Sequence, residues 1–177
     1  ISEDYRTVRT SILFSHAGSA PQIIAFTSTL PQEGKTATIA NMAISFAQLG
    51  ERVLLIDGDL RKHRLHKVFR VRNVVGLSGY LTGKISLEDV IQRTGVENVW
   101  LIPSGLHPPN PAELLNSDKM RELIMLVREE FDIVLIDTPP VLAAIDPVII
   151  SSFSDGTIFV IRAGKTMRKL FLQAVDE

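Results

Sequence analysis

The chain has no cysteine. Disulfides, thiolate nucleophiles and cysteine-based metal sites are therefore excluded, and the absence fits a reducing compartment. No apolar run approaches the roughly 20 residues that a membrane-spanning helix needs. No secretory signal pattern opens the sequence. Neither sign of charge dominates: 19 Lys and Arg against 20 Asp and Glu leave a net charge of −1. No global attraction to nucleic acid or to anionic lipid follows from such a balance. Tyrosine is scarce, with only Tyr5 and Tyr80. His16, His63, His66 and His107 are scattered without metal-ligand spacing and read as surface histidines.

What is present suits one globular domain spanning residues 1–177. The chain is 45% hydrophobic and 22% charged, with no internal repeat and no low-complexity linker. It starts at Ile1 and stops at Glu177 inside an apparent helix, which predicts a piece of a longer protein.

Five short runs rich in Val, Ile and Leu lack polar alternation: Ile23–Ser28, Val53–Asp57, Val99–Pro103, Ile133–Asp137 and Thr157–Arg162. That is the pattern of parallel strands covered on both faces. Helical patterns alternate with them over Thr36–Leu49, closed by Gly50, and over Ser117–Glu130, Val141–Phe153 and Met167–Val175. Alternation of this kind predicts an α/β, doubly wound, mostly parallel sheet. Trp100, within a strand run, is expected in the core. The N-terminal "SEDYRTVRTSILF" predicts a further helix, with Ser2 as its cap, Glu3 and Asp4 in its first turn and an apolar stripe of Tyr5, Val8 and Ile12.

The segment "FTSTLPQEGKTATIANMA" carries the chemistry. It ends in Gly34-Lys35-Thr36, as a phosphate-binding loop does, between a strand and a helix. The usual pattern has glycine six residues before the lysine, where this chain has Thr29. In that context backbone amides and the helix N-terminus face phosphate, Lys35 reaches the β- and γ-phosphates, and the Thr36 hydroxyl binds Mg²⁺. Pro31, Glu33, Gly34, Lys35, Thr36 and Ala37 are the candidate nucleotide contacts.

Such a site needs acids on rigid elements. "RVLLIDGDLRKHR" supplies Asp57 and Asp59 just past one strand, and "FDIVLIDTPPVL" supplies Asp137 at the end of another. In open α/β sheets the ligand crevice lies at these carboxyl ends. Asp137 has the place of a Walker B acid, so Thr36, Asp57 and Asp137 are the candidate metal ligands. Asp57 and Asp59 can divide metal binding and proton acceptance in either order. Arg61 sits where it can stabilise charge on a transferring group.

Taken together, "TSTLPQEGKT", "LLIDGDLRKHRLH", "PSGLHPPNPAELLNSDKM" and "FDIVLIDTPP" resemble the cytoplasmic domain of the bacterial tyrosine kinases of the polysaccharide co-polymerase family. The resemblance covers nearly the whole chain. It implies a P-loop NTPase-like fold with deviant Walker motifs, ATP and Mg²⁺ as cofactors, and autophosphorylation of tyrosine. It also implies a ring-like homo-oligomer assembled through Glu3, Arg6 and Arg9 of an N-terminal helix within residues 1–16. The tyrosines would come from a C-terminal tail of a neighbouring subunit; this chain has no tyrosine cluster, so the tail is expected beyond Glu177. A membrane-spanning co-polymerase segment and the cytoplasmic face of the inner membrane complete the picture, with polysaccharide polymerisation or export as the process. The alternatives are an ATPase switch of the partitioning or division-site type and a nucleotide-binding adaptor without kinase activity. Leu30 stands where those ATPases usually carry a signature lysine, which argues against the first.

Other stretches read more plainly. "RKHRLHKVFRVR" packs six Lys and Arg into residues 61–72 and predicts a solvated helix, with no nucleic-acid role. The prolines of "HPPNPAELL" stiffen a loop, and Pro111 can open a short helix. Arg162 and Lys165, after the last strand run, are candidate neighbours of the adenine base.

Overall fold

The computed structural model describes residues 2–15 and 18–177. Elements run in the order α1 (Glu3–Leu13), β1 (Ile23–Ser28), α2 (Lys35–Ala47), β2 (Val53–Asp57), α3 (Leu65–Val68), α4 (Leu77–Leu81), α5 (Leu87–Val90), β3 (Gln92–Arg93) and β4 (Val99–Ile102). After β4 come α6 (Pro111–Leu115), α7 (Asp118–Glu130), β5 (Ile133–Asp137), α8 (Asp146–Ser151), β6 (Gly156–Val160) and α9 (Arg168–Asp176). Among the described residues, six strands form one sheet in the order β3-β4-β2-β5-β1-β6. All neighbours pair in parallel except β3 with β4.

Successive strand residues point to opposite faces, and here both faces are covered. Ile23 and Ala25 of β1, with Leu54 and Ile56 of β2, pack under α4, α7 and α8 through Leu77, Met120, Leu123 and Ile150. Ile24 and Phe26, with Val53 and Leu55, pack under α2 through Ile39, Met42 and Phe46. Complete burial of each such Val, Leu, Ile, Met or Phe side chain stabilises the fold by about 1.5–3 kcal/mol. Double coverage explains why β1, β2 and β5 read as unbroken apolar runs.

The expected fold class stands, while several local expectations differ. Ser2 precedes α1 but its side chain makes no cap hydrogen bond. The basic stretch 61–72 is helical only over the four residues of α3, and Arg70 adopts φ 55°. Asp57 holds the Leu65 amide at 3.2 Å, which stops the preceding turn from extending the helix. The segment after β5 is helical only from Asp146, because Pro140 and Pro147 restrict where the helix can begin. The short α4, α5 and antiparallel β3 were not expected. Trp100 is half-buried, edge-on to Phe131 with ring centroids 5.5 Å apart. His63 and His66 are half-buried, with ring centroids 5.3 Å apart and planes tilted by 52°, not plain surface histidines; His107 is exposed and its Nδ1 lies 2.7 Å from the Leu60 carbonyl. His16 and Ile1 lie outside the described residues. Among the described residues no helix is long and apolar enough to cross a membrane.

Candidate active site

β1 delivers the phosphate loop. Its end is pinned from both sides: the Thr27 hydroxyl donates to the Pro139 carbonyl at 2.9 Å and the Ser28 hydroxyl to the Leu30 carbonyl at 3.0 Å. Thr29, which replaces the usual glycine, is fully buried, and its Oγ1 has no hydrogen-bond partner. Gly34 has φ +94° with open space where a Cβ would stand, so its requirement is backbone conformation and not room. α2 begins at Lys35 immediately after it. The first amides of that helix have no intrahelical acceptor and face the loop.

Lys35 is buried, and its ammonium pairs with the buried Asp137 carboxylate. The paired β2 and β5 end level, Asp57 opposite Asp137, so two carboxylates and one lysine meet at a single sheet edge. Burial pushes the Asp57 carboxyl well above its ordinary range; the negative charges of Asp137 and Asp59 push the same way, against the Leu65 amide and Lys35. Burial also raises Asp137, opposed chiefly by the charge and hydrogen bond of Lys35, with the Thr36 hydroxyl helping. Asp59 is slightly more accessible, at 7% against 0% for Asp57. Its Oδ1 accepts from the amides of Arg61 at 3.1 Å and Lys62 at 2.8 Å, which leaves the other oxygen uncommitted.

These residues suit a hard divalent cation. Asp57 Oδ1 is buried with no hydrogen-bond partner, and Asp137 and the Thr36 hydroxyl add oxygen donors beside it. Among the described residues no group of three or more His, Cys, Asp and Glu is arranged to hold a metal unaided. An incomplete protein shell is what Mg²⁺ uses, since it keeps waters and phosphate oxygens. Thr36, Asp57 and Asp137 are therefore the residues that could hold it.

Other expected residues distribute around this centre. Glu33 accepts from the Leu30 amide at 2.9 Å and from the Thr166 hydroxyl. Thr166 in turn accepts from the Arg162 amide at 3.0 Å, so the turn after β6 is tied to the phosphate loop. Pro31, Ala37, Arg162 and Lys165 are exposed. Glu3 and Arg6 pair at 3.3 Å on the exposed side of α1, whereas Arg9 folds inward onto the Ser45 hydroxyl at 3.2 Å and the Ser45 carbonyl. Two participants escaped the sequence reading. Thr166 gave no signal beyond a second Gly-Lys-Thr. Asp146, fully buried and paired with Arg61, was legible as an Asp-Pro helix start but was read as mid-helix.

A family model described as an AAA domain matches residues 21–167. Tyrosine-protein kinase YwqD of Bacillus subtilis is 44% identical over 175 residues, covering 99% of this chain and 74% of that protein. The chain spans 23% of a tyrosine-protein kinase of Acinetobacter johnsonii, so some relatives are far longer. Among solved structures, the kinase domain of the Escherichia coli tyrosine kinase ETK superposes with a TM-score of 0.95 at 37% identity, covering 98% of this chain and 68% of that one. The septum site-determining protein MinD of Pyrococcus horikoshii, complexed with Mg-ADP, superposes with a TM-score of 0.67 at 31% identity, covering 78% of this chain and 57% of that one.

Proposed function

The chain belongs to the bacterial tyrosine-protein kinases, and from that premise we propose that its carboxyl sheet edge transfers the γ-phosphoryl group of Mg-ATP to a tyrosine hydroxyl. The carrying observation is the convergence of Lys35, at the N-terminus of α2, with Asp57 and Asp137, at the ends of β2 and β5, into one buried cluster. Burying three ionisable groups this closely costs stability and contributes nothing to packing, so a ligand is the reason for it.

Lys35 and the first amides of α2 bind and orient the phosphates. Thr36, Asp57 and Asp137 hold Mg²⁺, which neutralises charge on the phosphate oxygens when bound. Asp59 accepts the tyrosine proton on its uncommitted oxygen; Asp57, fully buried, is less accessible to an incoming hydroxyl and is the better metal ligand. Arg61 faces the charge that builds on the transferring group. Glu33 and Arg162 shape the nucleotide cleft through Thr166, while Pro31, Gly34 and Ala37 line its phosphate end. The substrate tyrosines lie in the tail of a neighbouring subunit, and the helix of Glu3, Arg6 and Arg9 assembles the ring. The whole works against the cytoplasmic face of the membrane beside a co-polymerase segment, in polysaccharide export.

The full-length protein incubated with labelled ATP tests this. Label on tyrosine in its own tail is the expected result, abolished in Lys35→Met together with nucleotide binding. Release of free phosphate alone would establish an ATPase switch, and neither product would establish an adaptor. Lys35→Met with intact nucleotide binding would remove the site assignment.

A further inference from the structure

Arg61 is held twice. Its amide donates to Asp59 Oδ1 at 3.1 Å, within the turn that carries both candidate acids. Its side chain reaches across to the first turn of α8, where Nε donates to Asp146 Oδ2 at 3.0 Å and Nη2 to Asp146 Oδ1 at 3.2 Å. That is a two-bond fork, the geometry that guanidinium and carboxylate share and an ammonium cannot copy. Asp146 is 0% exposed, while the Arg61 side chain is 42% exposed. One edge of the guanidinium is thus spent on a buried carboxylate. Among the described residues the Nη1 atom has no partner, and the outer edge meets solvent.

This asymmetry decides what Arg61 can do. A guanidinium that swung toward phosphate would leave a fully buried carboxylate without its counter-charge, a severe penalty. Arg61 is therefore not a mobile finger. It approaches phosphate only by presenting its free edge while the other edge stays on Asp146.

We propose that Asp146 is a positioning residue for phosphoryl transfer, holding Arg61 rigidly beside the Asp57-Asp59 turn so that the free guanidinium edge meets the transferring group. The proposal rests on the kinase reading of this site. It adds a requirement from α8, 85 residues away in sequence from the arginine it orients. Preorganised charge of this kind acts on the transition state more than on the bound ground state. Loss of Asp146 is therefore a loss of kcat and not of nucleotide affinity.

The test compares Asp146→Asn, Asp146→Glu and Arg61→Lys in the full-length protein. Phosphorylation of a Glu-Tyr copolymer gives kcat and KM, a fluorescent ADP with Mg²⁺ gives Kd, and thermal unfolding follows the fold. Asp146→Asn is expected to lower kcat about 10- to 100-fold with Kd changed less than about threefold. Asp146→Glu restores part of the rate, because it can rebuild the fork. Arg61→Lys keeps the charge and stays slow. Undiminished kcat in Asp146→Asn overturns the proposal and leaves the pair a staple between the turn and α8. A kcat that falls only in step with Tm and Kd does the same. If Asp146→Asn does not fold, Arg61→Lys decides alone: full activity there overturns the proposal, and lost rate at unchanged Kd supports it. Failure of the kinase reading itself would look different, with no tyrosine labelled by the unmutated protein.

Discussion

The Gly58 amide donates to the Asp137 carbonyl at 2.8 Å, and a Cβ on Gly58 would stand 2.8 Å from that same oxygen. The two acid-bearing strand ends therefore meet backbone to backbone, with no room for a side chain between them. Ile150 closes the other side, its Cδ1 3.0 Å from the same Cβ position. Gly58→Ala is expected to cost about 1–3 kcal/mol through this overpacking and to weaken Mg-nucleotide binding by spreading Asp57 from Asp137. Urea unfolding followed by Trp100 fluorescence measures the first effect; an unchanged midpoint would show that the strand ends have slack.

The Asp57 carboxyl has the opposite behaviour from most surface acids. Its pKa is raised by burial first and by the neighbouring charges of Asp137 and Asp59. The stability linked to its proton is present below the unfolded value of about 3.9 and is lost as pH rises through the raised folded value. At neutral pH, well above that unfolded value, the raised pKa burdens the ligand-free protein. Asp57→Asn should therefore raise Tm at neutral pH, with the gain shrinking toward about pH 4, and should forfeit the Tm increase that Mg-nucleotide produces. A lower Tm at neutral pH would contradict this account of the cluster.

Asp155 runs the other way. Its partial burial raises the pKa, but the Arg128 hydrogen bonds and the Ile23 and Gln22 amides outweigh that and leave it lowered. The amides lie at 2.8 and 2.9 Å, so Asp155 anchors the start of β1. Its contribution is present above the unfolded pKa and is lost as pH falls through the lowered folded one. Asp155→Asn should cost about 1 kcal/mol at pH 7, a figure discounted for its solvent exposure. Stability curves of variant and parent should converge in acid, which a pH series of thermal scans would reveal.

Arg6 and Arg9 share a helix but not an environment. Arg9 Nη1 bonds Ser45 of α2, while the Arg6 guanidinium pairs with Glu3 on the exposed side. Arg9→Ala should loosen α1 within a single subunit, seen as faster amide exchange over residues 3–13. Arg6→Ala should leave that exchange unchanged and act only on assembly, measured by sedimentation. Equal exchange in both variants would place Arg9 outside the packing of α1.

The sheet was legible because β1, β2 and β5 are covered on both faces, which forces unbroken apolar runs that few other contexts produce. The Gly34-Lys35-Thr36 loop and the acids Asp57, Asp59 and Asp137 were legible because strand ends set their positions along the chain. Residues 61–72 were misread because their helical pattern is overridden by Asp57 and Asp59, which bind the amides of Leu65, Arg61 and Lys62. Asp146 was missed because its role depends on an arginine far away in sequence, and pairing at that distance leaves no local periodicity. Thr166 was missed for the same reason, its partner Glu33 lying 133 residues earlier.

β5 lies between β1 and β2 in the sheet, yet it comes after both in the chain. As the polypeptide leaves the ribosome, β1 and β2 have no shared neighbour until residues 133–137 emerge. Lys35 meets no Asp137 before then, and Asp57 has no strand beside it on that side. The cluster that would grip a nucleotide is completed by a strand from the last third of the chain. Nascent fragments ending before β5 thus lack the paired charges at the sheet edge, and nucleotide capture by a growing chain would report that the central strand has been inserted.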